Sequence, residues 1–189
     1  MSPEESAPPP SGFAPVYYAR LAVNIVRWDD VAIRRASRDV HAIYYGLVIW
    51  CVTALVILIF TALPQALQAI RAPLPAKVIA AAFGLLVGLV IMACVTFVQL
   101  GLCHLITKWF FSGTGTFAGI LRPLLLGWFV NALVLVPVLG TLAASIAWVA
   151  VLMLVFEEVE GIERLQAFLI SAGINVCFLI VQFMVPMRR

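Results

Sequence analysis

Between Val40 and Phe156 the chain has no carboxylate: all nine Asp and Glu fall within residues 1–39 or 157–163. Charged residues make up 11% of its 189 positions, against about a quarter in soluble globular domains. A stretch that long without an acid, in a chain that is 64% hydrophobic with mean hydropathy +1.10, excludes a soluble enzyme, a disordered chain and a disulfide scaffold. Catalytic signatures are missing too. There is no phosphate-binding glycine loop ending in Gly-Lys, no HExxH and no nucleophile elbow, so neither an enzyme nor a cofactor is expected. Only two histidines occur, His41 and His104, and neither has an acid in its own apolar run to orient it. Cys51, Cys94, Cys103 and Cys177 lack metal-site spacing and read as plain buried thiols.

What remains is a set of apolar runs, and the expected fold is all-α: an integral membrane bundle of five helices with an N-terminal amphipathic juxtamembrane helix. Residues 1–15, with five prolines and two acids, read as a flexible tail and not as a secretory signal. Residues 16–40 place Tyr17, Leu21, Ile25, Trp28 and Ala32 at helical spacing among five arginines. Such a helix either lies in the headgroup layer or packs on the rest of the protein. The membrane domain, 41–187, divides into spans at about 42–63, 78–107, 123–137, 140–156 and 165–187. The second is long for one crossing, so it tilts or extends past the interface. Pro123 to Phe156 runs uncharged too far for one helix, and Pro137 with Gly140 marks a turn between two short spans or the tip of a re-entrant hairpin. The basic residues sit at the ends of these runs. Their bias toward the N-terminal side predicts a cytoplasmic N-terminus and, with five crossings, an external C-terminus.

Polar side chains inside the runs are few: Gln99, Asn131, Asn175 and Gln182, with Ser145 and Ser171. Each is expected to hydrogen-bond between helices, and Asn131 and Asn175 are counted as packing residues. Ala80, Gly84 and Gly88 recur every four residues, the small-residue pattern that lets helix backbones approach. The loop from Ser112 to Phe117 holds Gly113 and Gly115 between Lys108 and Arg122, a combination that either cradles a lipid phosphate or forms a simple turn with two anchors. Glu157, Glu158, Glu160 and Glu163 form the one acidic cluster outside the N-terminal region, and Glu160 and Arg164 stand four apart, as in a helical ion pair. The cluster reads as a solvated helix end, with no metal expected.

The run His104-Leu105-Ile106-Thr107-Lys108, then Gly113-Thr114-Gly115-Thr116-Phe117 and Leu121-Arg122-Pro123, resembles the middle of the Yip domain, found in Ypt/Rab-interacting multi-pass membrane proteins. Pro137 with Gly140, and Glu158-Val159-Glu160-Gly161-Ile162 followed by Ala167, are similar to that family's later turn and its acidic to Gly-Ile junction. The resemblance covers about residues 40–186. It implies five spans, a cytoplasmic N-terminus and a group whose eukaryotic members bind prenylated Rab GTPases and organise Golgi and endoplasmic reticulum traffic. The Asp-Leu-Tyr-Gly-Pro motif of that branch is absent, and Glu160 stands where many relatives have histidine or another residue. Both departures suggest a prokaryotic-type member, in the inner membrane if the cell is bacterial.

The expected function is a non-enzymatic scaffold or adaptor in membrane organisation or trafficking-like processes. Its candidate interaction residues are Lys108, Gly113, Gly115, Phe117, Arg122, Glu157, Glu158 and Glu160. The expected partners are the lipid bilayer, a membrane or cytoplasmic protein, and a second copy in a homo-oligomer, with no nucleic acid. The alternative is a lipid or small-solute conduit, with Gln99, Asn131 and Asn175 along its path.

Overall fold

The computed structural model describes residues 12–69 and 73–184, and all their regular structure is helical. Residues 1–11, most of the expected tail, lie outside the described residues. Helices α1 (Pro15–Val26) and α2 (Asp30–Arg38) precede α3 (Ala42–Thr61), α4 (Leu63–Ala69) and α5 (Leu74–Phe110). Then come α6 (Phe117–Gly127), which continues as a 3₁₀ helix (Trp128–Leu135), α7 (Gly140–Val155), which continues as a π turn (Phe156–Glu160), and α8 (Arg164–Met184).

Four of these stretches are long and apolar enough to cross a membrane: Ala42–Gln65, Pro75–Phe110, Phe117–Leu135 and Gly140–Glu160. The last helix contributes a shorter apolar stretch, Arg164–Ile180. Burial separates axis from periphery. The Phe117–Leu135 stretch has 56% of its most apolar window buried, whereas Pro75–Phe110 has 6%. The Phe117–Leu135 stretch is therefore the pillar around which α1, α2, α3 and α7 pack, and α5 stands at the edge with most of its surface facing outward.

The pillar begins at Phe117, six residues before the expected start at Pro123, because Thr116 caps it by accepting the Gly119 amide at 3.1 Å. Pro123 lies inside α6, where it cannot donate to the helical ladder. Five residues past it the helix tightens to 3₁₀ geometry, and at three residues per turn Trp128, Asn131 and Val134 fall on one face. The α-helical and 3₁₀ parts together reach roughly 32 Å, enough for one hydrocarbon core. Residues 136–139 then turn the chain, with Val138 left-handed at φ 69°, and α7 begins at Gly140.

The N-terminal region is two helices instead of the single helix expected over 16–40. Trp28 adopts φ 67° and breaks it, and Asp29 restarts the chain by accepting the amides of Val31 and Ala32. Tyr18, Leu21, Ala22 and Ile25 of α1, with Ala32, Ile33 and Ala36 of α2, are buried in the common core. The segment thus packs on the protein. Trp28, expected on the apolar face, is 60% exposed at the break.

Close backbone approach occurs at Gly46, not at the small-residue stripe of α5. A Cβ on Gly46 would stand 2.8 Å from Leu125 Cβ and 3.3 Å from the Leu126 amide nitrogen, so α3 crosses α6 there. Gly84 has nothing within 4 Å of where its Cβ would be, and Gly88 meets only the flexible end of Leu58. The stripe was expected from a four-residue repeat, but Ala81, one position round the helix from Ala80, is the buried residue. Gly46→Ala is expected to lower stability by about 1–3 kcal/mol through overpacking, while Gly84→Ala leaves it level or slightly higher. Thermal unfolding of both variants in one detergent checks this, and equal losses would refute the assignment of the crossing point.

Candidate functional site

The end of α5 with the loop after it, and a turn some 45 residues later, meet at the end of the bundle that carries α1 and α2. The last turns of α5 supply His104, Thr107 and Lys108, which stand three and four residues apart and so share a face. The loop after α5 supplies Gly113 to Thr116. The third segment is the π turn after α7, which carries Glu157, Glu158 and Glu160. It ends at Gly161 in the left-handed conformation, φ 70°, which glycine adopts without strain.

Glu160 is the meeting point. Its side chain is fully buried. One carboxylate oxygen lies 2.5 Å from His104 Nδ1 and accepts the Thr107 hydroxyl at 3.1 Å. The other accepts the Gly115 amide at 2.9 Å and has Lys108 Nζ at 3.9 Å. The backbone carbonyl of Glu160 accepts the Thr114 amide at 2.9 Å. With the carboxylate ionised, His104 donates from Nδ1, which leaves Nε2 as its second ring nitrogen. The glycines of this loop are required by contact: a Cβ on Gly113 would come 2.6 Å from the Glu160 carboxylate, and one on Gly115 equally close to the Val159 carbonyl.

The loop expected either to cradle a lipid phosphate or to form a simple turn is therefore committed to an internal anion. Lys108 also donates to the Gly113 carbonyl at 2.8 Å, and Phe117 lies beside the His104 ring with centroids 5.7 Å apart. The partner missing for His104 in its own run arrives from 56 residues away. Lys108, four residues on, and a Gly-x-Gly loop after it were the available signals.

The neighbouring acids bind elsewhere. Glu158 pairs with Arg34 of α2 at 2.5 Å, and Arg122 of α6 donates to the Ser37 carbonyl at 2.7 Å, so the N-terminal helices are fastened to the bundle by two charged contacts. The expected Glu160–Arg164 pair does not form. Gly161 interrupts the helix between them, and Arg164 instead donates from Nε to Glu157 at 2.8 Å; that hydrogen bond, with the charge of Glu157, raises the pKa of Arg164. Glu163 is exposed.

A second buried node ties α1 to the start of α3. The Tyr18 hydroxyl donates to Asp39 at 2.6 Å, the other Asp39 oxygen accepts the His41 amide at 2.9 Å, and the Tyr18 ring stacks on Tyr45 at 3.9 Å. Burial, then the hydrogen bond to Asp39, raises the Tyr18 pKa above its ordinary value.

Deeper in the bundle Gln99, Asn131 and Asn175 line one cavity of about 220 Å³. Asn131 bonds locally, its Nδ2 donating to the Trp128 carbonyl at 3.0 Å. The Gln182 side chain lies outside the described residues, and Ser171 is buried with its hydroxyl unpartnered. All four cysteines are free. Cys103 is buried and Cys51 half-buried, but Cys94 and Cys177, expected inside, face outward. Among the described residues no three His, Cys, Asp or Glu side chains are grouped to hold a metal. Comparison with family models, with curated proteins and with solved structures finds no match.

Glu160→Ala strands His104, Lys108 and the Gly115 amide, and is expected to lower stability by about 3–5 kcal/mol. Glu160→Gln keeps the shape and loses less; thermal unfolding in detergent reads both, and equal stability of Ala and wild type would overturn the node. Tyr18 contributes differently with pH. Since its folded pKa is raised, its contribution is complete below the unfolded value of about 10 and is lost as pH rises beyond it. The stability difference between wild type and Tyr18→Phe, about 1.5–3 kcal/mol at neutral pH from a hydrogen bond to a charged group, should shrink above that pH in paired melts.

Proposed function

We propose that this chain is a five-span, non-enzymatic membrane protein of the Yip-domain type that acts as a scaffold or adaptor through a cytoplasmic cap. The cap is the end bearing α1, α2, the loop at 111–116 and the junction at 157–163, with the amphipathic N-terminal segment as its outer layer. α8 is the fifth crossing. One observation carries the reading: of the family-like residues, His104, Thr107, Lys108 and Gly115 meet the carboxylate of Glu160, and Thr114 meets its backbone carbonyl. Residues so distant in sequence that close on one buried group behave as one structural signature, which supports treating them together.

Orientation follows from charge. The cap end carries Arg20, Arg27, Arg34, Arg35, Arg38, Lys108, Arg122 and Arg164, against Lys77 at the other end among the described residues. The positive-inside tendency places such an end in the cytoplasm. Most of the expected interaction residues are engaged internally, so the surface left for a partner is the outer rim, where Arg20, Arg27 and Arg38 are exposed. A rigid cap with a basic rim suits an acidic protein surface or anionic lipid headgroups.

The conduit reading stands second, favoured by the cavity at Gln99, Asn131 and Asn175. To test the adaptor, the protein is purified in native lipid particles and its bound proteins are identified by mass spectrometry. Reversing Arg20, Arg27 and Arg38 to Glu together is expected to release a stoichiometric partner by tenfold or more while the melting temperature holds. Partner content unchanged by the reversal, or no protein partner at all, would refute it.

A further inference from the structure

The cavity at mid-depth is built from both ends of the chain's polar inventory. Thr96 and Gln99 of α5, Asn131 of the 3₁₀ helix, Thr141 and Ser145 of α7 and Asn175 of α8 all line it, and no charged side chain does. At 1.5 Å per residue Gln99 lies roughly 16 Å from the Phe110 end of α5, and Asn175 roughly 16 Å from the Arg164 end of α8. That is about half the thickness of a hydrocarbon core. The carboxamides of Gln99 and Asn175 hydrogen-bond to no other described side chain or backbone group. In lipid an amide without a partner is unfavourable, and two around one space call for a hydrogen-bonding occupant.

A second space shows what kind. Between α7 and α8 runs a slot of about 410 Å³ that shares Ser145, Asn175 and Leu179 with the cavity. Ile146, Ala150, Met153, Phe168 and Val176 make its walls apolar. Its apolar walls suit a hydrocarbon chain. A neutral polar pocket thus meets an apolar slot at Ser145 and Asn175.

We propose that this composite site binds one uncharged lipid, its hydroxyl or carbonyl end among Gln99, Asn131 and Asn175 and its hydrocarbon chain between α7 and α8. Phospholipid headgroups are disfavoured, since no cation in the lining would offset a phosphate at this depth. Amides both donate and accept, which matches an alcohol or an ester. Binding needs neither transport nor the adaptor reading, and either can fail without the other.

The test uses the full chain in phosphatidylcholine nanodiscs with a trace of chain-tagged diazirine probe: a diacylglycerol, an isoprenoid alcohol, or a phosphatidylglycerol of the same chain. After irradiation a neutral probe should label peptides of α7 and α8 at least fivefold more than the anionic probe, and untagged neutral lipid should compete. Asn175→Leu with Gln99→Leu should reduce that labelling at least fivefold, and Ala150→Trp, which fills the slot and leaves the amides, should do the same. Competition in the wild type keeps the test decisive if a variant misfolds. Equal labelling by neutral and anionic probes, labelling insensitive to Ala150→Trp, or no labelling by either neutral probe would overturn the site.

Discussion

A carboxylate buried at one end of an apolar helical bundle has to be solvated by the protein, and that requirement organises one whole end of this molecule. Removing Glu160 from water is unfavourable by several kcal/mol unless hydrogen bonds and a cation replace its hydration. The chain meets the demand with a histidine, a threonine, a loop amide and a nearby lysine, drawn from α5 and the loop that follows it. Each donor is held in turn by something else: the single Thr107 hydroxyl proton is shared with the His104 carbonyl at 2.7 Å, Lys108 donates to the Gly113 carbonyl, and Phe117 lies against the His104 ring. The edge helix α5, which buries little of its own apolar face, is thereby fixed to the junction between α7 and α8.

The same end acquires its N-terminal cover by weaker means. Arg34 to Glu158 and Arg122 to the Ser37 carbonyl are charged contacts at the rim, and the apolar faces of α1 and α2 provide the burial. Partly exposed ion pairs contribute little by themselves. Their role here is register: they determine where α2 sits along the pillar, while Ala32, Ile33 and Ala36 supply the contact area. The left-handed residue at Trp28 turns α2 out of line with α1 so that both meet the bundle.

How much of this was legible in the sequence depends on the range of the interaction. Apolar runs, the turn around Pro137 and Gly140 and the helical character of every segment are local properties, and the hydropathy pattern carries them. The break at Trp28 is set by Asp29 capping α2, a signal present in the sequence but outweighed by an apparently continuous apolar spacing. The early start of the pillar was signalled by Thr116, yet Arg122 looked like a boundary because its partner, the Ser37 carbonyl, is 85 residues away. Periodicity favoured Gly84 as a contact and gave Gly46 no emphasis, since a single glycine shows nothing of the helix it will cross. His104 and Glu160 were each noticed, and only the fold joins them.

The distribution of polarity with depth gives these parts a common logic. At the end bearing α1 and α2 ionic groups are gathered and paired internally, whereas the polar side chains around the cavity deeper in the bundle are neutral amides and hydroxyls. The 3₁₀ segment contributes to that placement. In an α-helix Trp128, Asn131 and Val134 would drift around the axis by some 60° in each step of three residues, whereas at three per turn they stay in line along the cavity wall. The helix that forms the pillar of the fold therefore also turns one carboxamide toward the interior, and it does so because its own hydrogen-bond pattern departs from the ordinary one.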